Sequence, residues 1–114
     1  MRYMLLIYDN ETQFEGLPEQ EVSQVMQEYR QFTAALQEAG AYIGGSRLRP
    51  VNTAKSVRIR DGEALWIDGP FAETKEQLGG YYMIDVKDLR EAQQWAAKIP
   101  SARFGTIELR ALWE

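Results

Sequence analysis

Two stretches with helical spacing, set among stretches that alternate with a period of two, constrain this chain most. Val22, Val25, Met26, Tyr29, Phe32, Thr33 and Leu36 recur at offsets of three, four and seven, which gives one continuous apolar stripe on a helix. Pro18 and the acids Glu19 and Glu21 suit its start, and Gly40 supplies its stop. Leu89, Ala92, Trp95, Ala96 and Ile99 mark a second helix, opened by the capping-box pattern Asp88-Leu89-Arg90-Glu91 and closed by Pro100. Strands are predicted at Met1 to Tyr8, at Tyr81 to Val86 and at Thr106 to Trp113, with an extended segment from Ala41 to Pro50 whose two glycines permit a bulge or bend. In the last of these Ile107, Leu109, Ala111 and Trp113 share one side. Ser56 to Arg60 and Ala64 to Asp68 flank Asp61-Gly62-Glu63 and read as an inserted hairpin.

The resulting order of strand, helix, strand, hairpin, strand, helix, strand is an α+β pattern, a ferredoxin-like split βαβ with an elaborated middle. All 114 residues fit one domain, 1–114. Both helices are expected on one sheet face. Trp66, Tyr81 or Tyr82, and Trp113 cannot all lie beneath two helices of a small protein, so the second face calls for cover, and a face-to-face homodimer supplies it.

The residue inventory excludes much chemistry. With no Cys there is no disulfide, thiolate nucleophile or zinc-thiolate site, and with no His the commonest general base and metal ligand is missing. The net charge of -4 disfavours direct nucleic-acid binding. Five of the thirteen basic residues, Arg47, Arg49, Lys55, Arg58 and Arg60, fall within one short stretch and could bind a small anion. The apolar start Met1 to Tyr8 is too short for a signal peptide or a membrane helix, so a cytoplasmic protein without membrane attachment is expected. Gly44-Gly45-Ser46 and Gly79-Gly80 lack the lysine or helix context of nucleotide-binding loops, so no cofactor is expected. Asp68, Glu73 and Glu76 lack calcium-loop spacing, so no metal is expected.

The segment Asp68 to Tyr82 concentrates turn residues and alternating charges. Asp68-Gly69-Pro70 breaks a strand, Thr74 to Leu78 can form a capped helical turn, and Gly79-Gly80 releases the chain into the next strand. This arrangement would bring Asp68, Glu73, Lys75 and Glu76 together. Asp68 and Glu73 are the candidate proton-transfer groups, whereas an Asx-type turn and a surface ion pair are their structural alternatives. Lys75, Arg47, Arg49 and Tyr81 are candidate ligand contacts. The two arginines flank Leu48 on one strand face, where solvated edge charge is the plainer role. Phe71 is expected to plug the core or a dimer seam, and Thr74 with Gln77 to cap the turn.

Asp68-Gly69-Pro70-Phe71-Ala72-Glu73-Thr74-Lys75-Glu76, followed by Gly79-Gly80-Tyr81-Tyr82, resembles the signature of the YCII-related family, also called the DGPF family. The likeness extends more loosely through Arg2 to Tyr8, Gly44 to Pro50, Asp88 to Pro100 and Gly105 to Arg110. The resemblance implies a dimeric α/β barrel of ferredoxin-like protomers and a functional link to sigma factors of the extracytoplasmic-function class. A His-Asp pair proposed as catalytic in some members has no counterpart here, because the chain has no His.

The functional expectation is a small dimeric protein that binds a small, anionic molecule in a cleft near the Asp68 to Tyr82 segment, in a regulatory role. The alternative is a cofactor-independent enzyme using carboxylate acid/base chemistry. A third possibility is a structural partner docking another protein through Trp66 or Trp113.

Overall fold

The computed structural model describes residues 1–114. Strand β1 (Arg2–Asp9) leads through a short 3₁₀ turn (Glu11–Phe14) to helix α1 (Glu19–Glu38), and β2 (Tyr42–Arg47) follows. The hairpin strands β3 (Lys55–Arg60) and β4 (Glu63–Asp68) precede β5 (Gln77–Asp85), helix α2 (Leu89–Ala97), a 3₁₀ turn (Pro100–Arg103) and β6 (Thr106–Ala111). The main sheet is antiparallel and open, in the order β2-β5-β1-β6, as a split βαβ pattern produces. No closed barrel forms, and β3 and β4 make a separate two-stranded ribbon. No helix is long and apolar enough to cross a membrane.

Both helices end and begin as their sequences dictate. After α1, Gly40 takes φ +71°, which lets its N–H reach the Gln37 carbonyl and the Ala41 N–H reach that of Leu36, a Schellman arrangement. Asp88 accepts from the Glu91 N–H at 2.9 Å, while the Glu91 carboxylate reaches back to the Lys87 N–H. The hairpin turns on Asp61 and Gly62, both at positive φ, and pairs Arg60 with Glu63.

The core lies between the helices and one sheet face. Tyr3, Leu5 and Ile7 of β1, Phe32 and Leu36 of α1, Ile84 of β5, and Ala92 and Ala96 of α2 are all buried. Edge-on contacts of Phe32 with Tyr82 and with Trp95 tie α1, β5 and α2 together. Within the helical stripe only Phe32 and Leu36 are buried, so the N-terminal part of α1 stands off the sheet.

The opposite face carries Met4, Leu6 and Tyr8 in register with Met83 and Tyr81. All five are only partly buried, and no helix covers them. The ribbon projects from the domain, with Val57, Trp66 and Ile59 on one of its faces. Trp66 is 70% exposed. The radius of gyration is 16.2 Å, against roughly 13 Å for a compact chain of this length, so the ribbon and the thin sheet leave apolar surface without a partner inside the chain.

Several expectations need correction. Thr74 to Leu78 forms no helical turn. Gln77 already belongs to β5, and the Thr74 hydroxyl donates to the Glu76 carbonyl while the Gln77 amide donates to the Thr74 carbonyl. Strand pairing of Gln77 and Leu78 with Asp9 and Tyr8 outcompetes a single isolated turn. Gly79-Gly80 therefore lies within a strand rather than before one. Phe71 is 79% exposed and plugs no core. Strand β6 ends at Ala111, so Trp113 lies beyond the row of Ile107, Leu109 and Ala111 and is fully exposed.

Candidate functional site

A cleft of about 570 Å³ opens between the N-terminal part of α1 and the β2-β5-β1 surface. Its origin is local. Arg47 of β2, Gly80 of β5 and Ile7 of β1 stand in one cross-strand row on the helix face, and Gly45 pairs with Tyr82 in the next. Glycines at these two places leave gaps in the sheet floor, and the side of α1 that carries Val25, Met26, Tyr29 and Thr33 borders the void above them. The backbones also approach too closely for anything larger. A Cβ at position 80 would lie 2.9 Å from the Ser46 carbonyl oxygen, and one at position 45 would lie 2.8 Å from that of Tyr81.

Asp9 enters the cleft because it continues the row Tyr3, Leu5, Ile7 to the end of β1. The register shifts between Ile7 and Tyr8 opposite Gly79, a bulge at the rim of the cleft. The Ser101 hydroxyl donates to Asp9 Oδ2 at 3.4 Å and also forms a short hydrogen bond with the Tyr29 hydroxyl. Because the single Ser101 proton points to Asp9, Tyr29 is the donor to Ser101, and the chain runs Tyr29 to Ser101 to Asp9. Arg103 forms two parallel bonds of 2.7 and 2.8 Å to the Glu28 carboxylate, clamping the turn that carries Ser101 against the helix that carries Tyr29. Deeper in, the Tyr82 and Thr33 hydroxyls are 2.7 Å apart, and Thr33 in turn donates to the Tyr29 carbonyl.

Burial pushes the Asp9 carboxyl above its ordinary value of 3.8. Glu11 and Glu76 act in the same direction, while the Ser101 hydrogen bond and Arg47 oppose them. Burial also raises the Tyr29 and Tyr82 hydroxyls, so both stay protonated donors at neutral pH. The folded chain holds its Asp9 proton to higher pH than the unfolded chain, so this group's contribution to stability falls as pH climbs from about 3.8 through the raised folded value. Asp9→Asn is accordingly expected to be at least as stable as the parent at neutral pH. Its advantage should grow across that window and stay constant above it. Thermal denaturation across pH measures this, and a variant less stable than the parent at pH 7 would contradict it.

The cleft gathers only part of the residues that the sequence singles out. Arg47 and Arg49 both line it, and neither makes an ion pair with a carboxylate. The polar contact of the Arg47 guanidinium is with Met26 Sδ at 3.9 Å. Tyr81 borders the cleft, although strand alternation turns it toward the open sheet face, in register with Leu6. The other three lie elsewhere. Asp68 is exposed at the end of β4, where it pairs with Lys55 at 2.7 Å instead of closing an Asx turn. Glu73 and Lys75 are exposed and make no hydrogen bond or ion pair through their side chains. No bond joins Asp68, Glu73, Lys75 and Glu76, because the segment between β4 and β5 forms bends and no helical turn, and Glu76 instead accepts from the Thr106 hydroxyl at 2.8 Å. The cation stretch divides likewise, with Lys55, Arg58 and Arg60 on the ribbon.

Asp9, Tyr29 and Ser101 were not singled out from the sequence. The legible signal for Asp9 was the alternation Tyr3, Leu5, Ile7, Asp9, in which a carboxylate ends a row of core residues. Tyr29 was hidden by its place in an apolar stripe, and nothing in the sequence marks Ser101.

The arrangement defines a small α+β domain with a charged, aromatic-walled cleft of ligand size beneath its first helix. The chain belongs to the YCII-related family, whose domain model matches residues 1–114. It is 37% identical over 114 residues to an uncharacterised protein of Rhizobium meliloti (strain 1021), an alignment covering 98% of this chain and 92% of the relative.

Proposed function

We propose that this protein is a cytoplasmic homodimer that binds a small anionic molecule in the cleft beneath α1, with occupancy serving a regulatory role. The observation that carries the ligand reading is the pair Arg47 and Arg49, two cations without carboxylate partners on the wall of a cleft of about 570 Å³. An exposed guanidinium left without a carboxylate at the edge of a cleft is suited to recognise a carboxylate or phosphate. Pairing of ferredoxin-like protomers through their open sheet faces would cover Met4, Leu6, Tyr8, Tyr81 and Met83, giving a two-sheet barrel.

A thermal-shift screen against small carboxylates and phosphate esters tests the ligand reading. A binder at one hundred times its Kd should stabilise the fold by about 2.7 kcal/mol. That shift should vanish in Arg47→Gln and persist in Lys75→Gln. No stabilisation at any saturating concentration would overturn it.

The Tyr29, Ser101, Asp9 chain favours a second reading, a cofactor-independent enzyme in which Asp9 takes the proton-accepting part first expected of Asp68 or Glu73. Turnover lost in Asp9→Asn but kept in Asp68→Asn would support it.

A further inference from the structure

The cleft has two poles that do not meet. Arg47 on β2 and Asp9 on β1 both lie on the helix face and both line the cleft. Strand β5 separates them and Asp9 lies two residues beyond the row of Arg47, so their backbones are about 12 Å apart. In the cross-strand row of Arg47 the intervening strand presents Gly80, which puts no side chain between the poles. Opposite charges sharing a cleft commonly close on each other as an ion pair. Here Arg47 rests against Met26 and Asp9 is met only by the long 3.4 Å bond from Ser101. Asp9 therefore keeps acceptor capacity, and the Arg47 guanidinium keeps most of its five donors. Tyr29 is joined to Asp9 through Ser101, and Tyr82 and Tyr42 line the cleft in the rows on the other side of Arg47.

We propose that the ligand is a compact, single-ring organic acid with a hydroxyl or amino donor opposite its acid group, the acid held by Arg47 and the donor by Asp9. This rests on the anion-binding role proposed above and adds the far end of the molecule to it. A simple anion would satisfy Arg47 and leave Asp9 facing an empty or wet pole. A neutral donor would satisfy Asp9 and leave the exposed Arg47 guanidinium to water. A molecule carrying both groups answers the cleft at both ends, and the bare backbone at Gly80, with the Tyr29 ring beside the Asp9 pole, suits a flat body between them. Raising of the Asp9 carboxyl by burial agrees with a group removed from bulk water, where a hydrogen bond from a ligand gains most.

Isothermal titration calorimetry with benzoate, 4-hydroxybenzoate and phenol tests this on the full chain. The hydroxy acid is expected to bind the parent at least about ten-fold more tightly than benzoate, the usual worth of a hydrogen bond to a charged group. In Asp9→Ala that preference should fall to about one, with benzoate still binding. In Arg47→Gln both acids should weaken together. Should Asp9→Ala fail to fold, the isosteric Asp9→Asn should still cut the preference several-fold. Equal affinity of the parent for benzoate and 4-hydroxybenzoate would overturn the two-pole assignment while leaving the anion site standing. Failure of both acids to bind would overturn the two together, and phenol binding as tightly as 4-hydroxybenzoate would remove the part given to Arg47.

Discussion

Gly105→Ala is expected to cost about 3 kcal/mol or more and to dismantle the cleft, although it adds a single methyl group. Gly105 stands immediately before β6, where the chain turns in to pair Thr106 with Tyr8. A Cβ there would overlap the Tyr8 carbonyl oxygen and lie 2.9 Å from the Asp9 Cβ. Both obstacles belong to the end of β1 and not to a flexible side-chain tip, so the strand itself must move. Because the end of β1 carries Asp9, and the turn just before Gly105 carries Ser101, the displacement reaches the hydrogen-bonded chain directly. Total stabilities of single domains are about 5–15 kcal/mol, so such a loss should be plain in a urea titration as a large fall in midpoint at unchanged slope. A loss under about 1 kcal/mol would show that the approach of Gly105 to β1 is looser than described.

Leu6→Lys is expected to convert the proposed dimer into folded monomers. Strand alternation puts Leu6 near the middle of the open face, with Tyr81 beside it on β5 and Glu108 on β6, and away from the buried row of Tyr3, Leu5 and Ile7. The substitution therefore leaves the core of each protomer intact, and far-UV circular dichroism should be unchanged. In a face-to-face dimer each copy would bring one ammonium group into a seam where Glu108 is already engaged by Arg110, at several kcal/mol apiece. With two copies per dimer, association should weaken by at least about a thousand-fold. Sedimentation velocity at micromolar concentration reads this as a halving of mass. A parent that already sediments as a monomer, or a variant that remains dimeric, would refute pairing through this face.

Periodicity made most of the fold legible. The stripe from Val22 to Leu36, the Asp88 capping box and the Asp61-Gly62 turn are local patterns, and each occurs in the structure where its residues dictate. Misreadings arose where a local preference competed with pairing to a distant strand. Thr74 and Gln77 have the spacing of a capped turn, but β1 recruits Gln77 into the sheet. The site was harder to read, because a cleft is a property of what is missing. Arg47 and Arg49 stand out as charges, yet the void they border comes from Gly45 and Gly80 lying beneath α1, the one near that helix in sequence and the other far from it. Asp68, Glu73 and Lys75 drew attention by density of charge, and such density describes a solvated loop equally well.

The central claim is that ligand chemistry belongs to the cleft beneath α1 and not to the Asp68 to Lys75 loop. Backbone amide chemical-shift mapping during titration with 4-hydroxybenzoate tests it most directly. The largest shifts are expected at Asp9, Tyr29, Gly45 to Arg47, Gly80 and Ser101, with Asp68 to Lys75 unmoved. Shifts concentrated in Asp68 to Lys75, with the amides of Asp9 and Arg47 unchanged, would contradict it.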